Sequence, residues 1–340
     1  MKLWNVAGMA VGLVLVLVLT LAVFGLPVFP SLALIGEGAF GDKFAIARTL
    51  VKATPLVLTG LGMVVAWKGG MYNIGGEGQY IIGAMFAATV VKGVLPNPHP
   101  LFGPLILVAA VVGGAGYGLL AGWLYVARGV EVVISTILLN FVAVQLLRYA
   151  VTGPLQEAKR QVPESDLVPK ALALAKFDRQ MDLHIGTFIA LAMVVVVWLF
   201  LFYTRAGYRI RLVGDNRNVA RANFIPAGRV QLLSMAVSGG LCGLAGGIEY
   251  LGPAGQLGFN FPQDWGFLGI PIALLAGLNP AGVVPAALYF GALFAGSDNL
   301  ARYTTAGPTM IFVIQAVAVL GFVRLSTLRL RRKTAAAGAD

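Results

Sequence analysis

Cysteine occurs once in the 340 residues and histidine twice. Cys242 lies in an apolar run and has no second thiol to meet, which excludes an intramolecular disulfide. His99 and His184 stand far apart in sequence, so no Cys/His metal cluster can be assembled and no metal is expected. Charge is scarce as well: Asp, Glu, Lys and Arg make up 11% of the chain. Water-facing helices and loops need far more charge, which argues against a soluble domain. Several catalytic signatures are also missing. There is no G-x-x-x-x-G-K-[ST] phosphate loop, so the chain has no visible means of holding ATP, and neither G-x-S-x-G nor H-E-x-x-H occurs. With two histidines and few carboxylates inside apolar runs, an embedded enzyme has little to work with, and no catalytic residue or cofactor is expected.

What is abundant is apolar. Hydrophobic residues make up 58% of the chain, mean hydropathy is +0.84, and glycine occurs 44 times. Glycine is costly inside soluble helices but lets membrane helices approach closely. A membrane crossing takes about 20 apolar residues. Runs suited to spans fall at 8–29, 54–68, 71–92, 102–127, 132–152, 184–203, 230–252, 265–278, 281–297 and 307–324. The fold class expected is therefore all-α: one polytopic membrane domain over 1–340, with about ten transmembrane helices, some interrupted. The run from Met9 to Phe29 is longer than a cleaved signal's apolar region and no A-x-A site follows, so it reads as a first span.

The net charge of +11 is carried in short clusters between apolar runs, which suits membrane loops better than nucleic-acid binding. Residues 204–229 hold Arg205, Arg209, Arg211, Arg217, Arg221 and Arg229 against Asp215. The tail holds Arg324, Arg329, Arg331, Arg332 and Lys333. By the positive-inside rule both face the cytoplasm. The loop 153–183 balances Lys159, Arg160, Lys170, Lys176 and Arg179 with Glu157, Glu164, Asp166, Asp178 and Asp182, as an extracytoplasmic loop would. Ten spans then place both termini in the cytoplasm. Residues 36–53, with Glu37, Asp42, Lys43, Arg48 and Lys52, read either as an amphipathic surface helix or as an outward extension of the second span.

Polar residues inside apolar runs mark the candidate site. Lys68-Gly-Gly-Met-Tyr-Asn-Ile-Gly-Gly-Glu-Gly-Gln-Tyr80 reads as a helix interrupted near the membrane interior. Irregular backbone at that depth must be buried in protein or line a wet cavity. Glu77 is a functional candidate because an acid there is costly; its structural alternative is to cap a helix N-terminus or pair with Lys68. Asn140 and Gln145 interrupt the span 132–152 and suit interhelical hydrogen bonds or substrate contact. Asn279-Pro280 breaks the last third much as Asn73 breaks the first, and Gly83-Ala-Met-Phe-Ala87 is echoed by Gly291-Ala-Leu-Phe-Ala295. Asp298 and Asn299 read as a solvated turn at a helix end. Gly114, Gly118 and Gly122, and again Gly239, Gly243 and Gly247, put three glycines on one helix face, the pattern of a packing seam. In the basic loop, Asn216 to Phe224 can form a short helix with an Asp215/Asn216 cap, ending before Pro226.

The block Gly207-x-x-x-Arg211-x-x-Gly214-x-Asn216-x-x-x-Ala220 resembles the coupling segment of permease subunits of ATP-binding-cassette importers, in the branch that imports ribose, other simple sugars and nucleosides. Tyr72-Asn-Ile-Gly-Gly-Glu-Gly-Gln79 is similar to that branch's F-N-I-G-x-E-G-Q signature, most typical of its nucleoside-type members. Glu131 to Asn140 and Gly266 to Leu275 match in order and spacing, so the resemblance runs from about residue 50 to 325. Gly76 stands where Ala is common, and Phe224-Ile-Pro226 replaces a frequent Gly-Ile turn. The resemblance implies a permease of the bacterial plasma (inner) membrane that forms the pathway while a separate cytoplasmic ATPase binds and hydrolyses ATP. It also implies a second permease subunit, identical or homologous, and an extracytoplasmic substrate-binding (lipo)protein. By the same resemblance Asn73, Glu77, Gln79 and Asn140 belong to the substrate pathway, and Gly207, Arg211, Gly214 and Asn216 to ATPase coupling. The rival readings are an ion- or proton-coupled secondary transporter with Glu77 as carrier, a branched-chain amino-acid permease of the same broad family, and a membrane-embedded enzyme.

Overall fold

The computed structural model of the chain describes residues 18–19, 21–23, 25–178, 181–261, 264–303 and 313. Among them the architecture is all-helical: α1 (Val28–Phe40), α2 (Lys43–Lys68), α3 (Gly76–Val94), α4 (Phe102–Arg128), α5 (Val132–Thr152), α6 (Ile185–Tyr203), α7 (Arg205–Asp215), α8 (Arg217–Ala222), α9 (Ala227–Glu249), α10 (Trp265–Leu275) and α11 (Pro280–Tyr303). Six helices among the described residues are long and apolar enough to cross a membrane, as a polytopic membrane protein requires. The expected spans at 8–29 and 307–324 fall largely outside the described residues, so ten spans cannot be counted off.

Several boundaries differ from the sequence reading for identifiable reasons. The second span begins at Lys43, not 54, because Pro55 is carried inside a continuous 26-residue helix. That decides residues 43–53 in favour of an extension of the span. Residues 28–40 form a separate helix after a turn at Gly25, whose φ of 68° only glycine adopts readily. The third run starts at Gly76, because Gly70 (φ 72°) ends α2: Met71 N–H bonds the Ala66 carbonyl at 3.0 Å, the closure of a Schellman motif. Helix α10 ends in the same way, with Gly277 at φ 61° and Leu278 N–H on the Ala273 carbonyl at 3.0 Å. Each break is followed by an asparagine whose Oδ1 accepts the N–H two residues on, Gly75 for Asn73 (2.8 Å) and Ala281 for Asn279 (3.1 Å). The internal echo thus extends from a five-residue match to a shared way of breaking a helix.

The chain divides into two compact units, Ala53–Ala287 and one made of Met1–Lys52 with Leu288–Asp340. In the larger unit the two glycine stripes meet each other. A Cβ on Gly118 would sit 2.5 Å from the Met235 carbonyl, and one on Gly114 or Gly243 would strike the facing backbone of α9 or α4. Gly83 brings α3 against Gly243, and Gly246 packs on the Tyr80 carbonyl. Lacking side chains there, α3, α4 and α9 approach backbone to backbone, which replaces the hydrophobic drive that lipid cannot supply. The segment 153–178 lies along the chain that follows α9: Ser165, Val168 and Leu174 N–H groups bond the carbonyls of Leu257, Gly255 and Leu251 at 2.8, 2.8 and 3.0 Å.

In the smaller unit Leu21, Ile35, Leu293 and Leu300 form the apolar cluster. Asp298 and Asn299 lie within α11, not in a solvated turn. Asp298 pairs with Lys52 at 2.8 Å, and Asn299 Nδ2 donates to the Leu34 carbonyl at 2.9 Å.

Candidate functional site

The segment between α2 and α3 exposes Tyr72 but buries Met71, Asn73 and Gly75, and Asn73 binds its polar neighbours. Asn73 is 0% exposed. Its Nδ2 donates to Gln79 Oε1 (3.0 Å) and Ser238 Oγ (2.9 Å), while its Oδ1 accepts from Gly75 N–H (2.8 Å) and Gln79 Nε2 (3.2 Å). Every donor and acceptor of that amide is used, as burial in a low-dielectric interior demands. Trp67 Nε1 donates to the Asn73 carbonyl at 3.1 Å, tying the end of α2 to the same residue.

Asn140 holds the break from α5. Its Nδ2 donates to the Ile74 carbonyl at 3.0 Å and its Oδ1 accepts from Gly78 N–H at 2.8 Å. One turn earlier, Thr136 Oγ1 accepts from Ile74 N–H at 3.3 Å. Residues four apart share a helix face, so Thr136 and Asn140 grip the broken segment from one side. Gln145 does not join them. It is exposed and makes no hydrogen bond among the described residues, so the interhelical bond, one of its two expected roles, is not formed among them.

Glu77 stands where two helices start. It lies in the first turn of α3, and its Oε2 accepts Gly266 N–H, in the first turn of α10, at 2.7 Å. The side chain is 2% exposed, and Gly266 packs directly on the backbone of Gly76 and Glu77. A carboxylate at two helix N-termini satisfies groups that no intrahelical bond reaches. Glu77 therefore caps a helix, but α10 in place of its neighbour in sequence, and it forms no ion pair with Lys68. Helix α10 is held from the other side by Thr59 of α2, whose Oγ1 donates to the Trp265 carbonyl at 3.0 Å. The structure thus brings together all four residues singled out for the pathway, Asn73, Glu77, Gln79 and Asn140, with their side chains buried. Thr59, Thr136 and Ser238 complete the network and escaped the sequence reading. Thr136 carried a usable signal, its place one turn before Asn140; Ser238 in a glycine-rich helix carried none.

The arginine-rich loop is largely helical. Thr204 caps α7 by accepting Gly207 N–H at 3.0 Å, and Gly207 lies on the backbone of Phe200 and Leu201. Arg211 donates through Nε to the Leu201 carbonyl at 3.1 Å, filling a vacant acceptor in the last turn of α6, and its guanidinium lies 4.9 Å from the Phe202 ring centre. Asn216 caps α8 through Oδ1, accepting from Asn218 and Val219 N–H at 3.0 and 3.1 Å, so the short helix occurs where expected. Arg217 reaches Tyr125 at the end of α4 (3.2 Å). Gly214 packs against the backbone of Lys68 and Gly70 at the end of α2, with its Cα 3.3 Å from the position a Gly70 Cβ would take. Gly207, Arg211, Gly214 and Asn216 therefore seat the loop on the ends of α6 and α2 and cap its second helix. Past that cap Phe224 takes φ +55° and stands 96% exposed.

A family model described as branched-chain amino acid transport system, permease component, matches residues 45–323. The chain belongs to that family. Among curated proteins it is 32% identical over 292 residues to the glucose ABC transporter permease protein TsgB13 of Haloferax volcanii, covering 82% of this chain and 76% of that one. It is 31% identical over 303 residues to the nucleoside ABC transporter permease protein NupB of Lactococcus lactis, covering 84% and 80%. With the guanosine ABC transporter permease protein NupP of Bacillus subtilis it shares 29% over 319 residues, covering 93% and 90%. No solved structure matches the chain. The chain is a multi-pass membrane protein and a transport permease subunit.

Proposed function

We propose that the chain forms the translocation pathway of an ATP-driven importer for nucleosides or simple sugars. The observation that carries this reading is the seating of the 204–229 loop on the broken helix: Gly214 lies on Lys68 and Gly70, three residues before Asn73. A force applied to α7 and α8 reaches the α2–α3 break without passing through a flexible linker. The substrate class follows from relatives named for glucose, guanosine and nucleosides, and polar uncharged groups suit hydroxyl-rich solutes. Asn73, Glu77, Gln79 and Asn140 serve the pathway as positioning residues: Asn73 and Gln79 tie the α2–α3 break to Ser238 of α9, Asn140 ties it to α5, and Glu77 joins the start of α3 to that of α10.

A cytoplasmic ATPase binds ATP and docks on α8, with exposed Phe224 and half-exposed Val219 as its apolar contacts. A second permease subunit, identical or homologous, covers α5, where exposed Gln145 sits among exposed Leu138, Phe141 and Tyr149; a polar side chain facing lipid would be costly. An extracytoplasmic binding protein delivers the solute.

The test is a mild-detergent pull-down of the tagged chain, with partners identified by mass spectrometry, followed by uptake in reconstituted vesicles. An ATPase should co-purify, Phe224→Ala should weaken its retention, and uptake should need ATP and be competed by nucleosides or sugars. Purification alone even after cross-linking, with uptake collapsed by an uncoupler while ATP remains, would establish secondary transport instead. Competition by leucine would support a branched-chain amino-acid substrate instead, as the family's description implies.

A further inference from the structure

Beside the glycine seam, α6 stands off from α4 and α9 and leaves a groove of about 370 Å³. That volume lies within the range of small-molecule sites, about 300–1,000 Å³. Its walls are apolar throughout: Val111 of α4, Val196, Val197 and Phe200 of α6, and Ala236 and Gly240 of α9 are among them. No polar group is present to orient a hydrophilic solute, so the transported nucleoside or sugar has no reason to enter.

The position of the groove along the helices identifies a suitable occupant. Phe200 is three residues from the end of α6, beside Trp198, Phe202 and Tyr203, whose rings cluster at centroid distances of 6.3 and 5.0 Å from Trp198. Aromatic groups of this kind settle at headgroup level. On α9, Arg229, Leu233, Ala236, Gly240 and Leu244 fall on one helix face. Arg229 is exposed in the first turn and makes no ion pair or hydrogen bond among the described residues. It lies about 10 Å along the helix axis from Ala236, by the rise per residue. An apolar slot within the hydrocarbon, with an unpaired cation at its headgroup end, matches a phospholipid with an anionic headgroup.

We infer that the groove between α4, α6 and α9 binds one acyl chain of an anionic phospholipid from the leaflet on the side of the 204–229 loop, with Arg229 at its phosphate. The lipid fills the space that α6 leaves open and replaces dispersion contacts the helices do not make with each other.

The experiment titrates phosphatidylglycerol or phosphatidylcholine of identical chains into the purified full-length protein in detergent and follows its melting temperature. Wild-type protein should be stabilised saturably by both lipids, with half-saturation about fivefold lower for phosphatidylglycerol, the effect expected of one basic residue near a lipid charge. Arg229→Gln should erase that preference while keeping the saturable shift. Val196→Trp, which adds bulk from a half-exposed position, should abolish the shift for both lipids. Equal half-saturation for the two lipids in wild-type protein, or a shift that survives Val196→Trp, would overturn the assignment. So would cross-linking of Val196→Cys to another subunit of the assembled transporter, which would show the groove filled by protein.

Discussion

Gly214 rests on the backbone of Lys68, so the last turn of an amphipathic loop helix touches the last residue of a membrane span. No side chain intervenes. Such a contact transmits displacement in either direction, because close-packed backbone cannot be compressed.

Gly214→Val tests that contact. The added side chain would collide with the Lys68 carbonyl, and overpacking of this kind costs roughly 1–3 kcal/mol when the backbone must shift. ATP-driven uptake in proteoliposomes should fall steeply while ATP hydrolysis by the assembled transporter continues. Arg211→Glu, which removes the bond to the Leu201 carbonyl, should uncouple in the same manner with membrane insertion intact. Normal uptake in both variants would remove the loop from the coupling path.

Asn140 binds the backbone of Ile74, within the α2–α3 break, and of Gly78, in the first turn of α3, and its replacement has two consequences. Asn140→Leu leaves the half-buried Ile74 carbonyl and the buried Gly78 N–H without these partners, at roughly 1–3 kcal/mol for the buried group. The melting temperature should drop, and more than in Thr136→Val, which costs the break only the 3.3 Å bond to Ile74 N–H, the hydroxyl's other bonds going to the Val132 and Val133 carbonyls of its own helix. If the Thr136 variant proves the weaker of the two, the break is held elsewhere.

Two roles for Glu77 give opposite results in a conservative variant. As a cap on α10, Glu77→Gln keeps an acceptor for Gly266 N–H, so stability and uptake should fall only modestly, whereas Glu77→Leu should destabilise by roughly 1–3 kcal/mol. A proton carrier would behave differently: Glu77→Gln would abolish uptake in a protein that melts normally. Measuring both quantities on both variants separates the two readings.

Much of this arrangement was legible in the sequence, and the reasons are physical. Long apolar runs fix span cores, so 102–127, 132–152 and 184–203 agree with α4, α5 and α6 to within about a residue. Glycines four apart in two runs implied close packing, and the two stripes pack on each other because each supplies the space the other needs. Span ends were less legible. The apolar run starts at 54, yet α2 starts at Lys43 with Pro55 inside it, and the extension carries charges that hide it from an apolar-run search. The clustering of Asn73, Gln79 and Asn140 could be suspected from polar residues in apolar runs. The partners Ser238 of Asn73 and Gly266 of Glu77 could not, because those pairings cross 165 and 189 residues and depend on tertiary packing. Helix α7 reads as loop in the sequence because its short length and its arginines conceal an amphipathic face.

His184 offers a pH-dependent test outside the spans. It caps α6 by accepting Gly186 N–H on Nδ1 at 3.1 Å and is 2% exposed, with Gly252 close by. Burial, assisted by the neighbouring Lys176 and opposed by Asp182, pushes its pKa down to about 4. The folded state therefore favours the neutral ring more than the unfolded chain does, where the pKa is near 6.5. The stability this contributes is fully present above about pH 6.5 and is lost as pH falls toward 4; the loss amounts to roughly 1–3 kcal/mol. Protonation also fills Nδ1, so the cap on α6 goes with it. Between about pH 7.5 and pH 4.5 the wild-type melting temperature should fall more than that of His184→Asn, whose Oδ1 can cap without titrating. Parallel declines in the two proteins would assign the acid sensitivity to other groups.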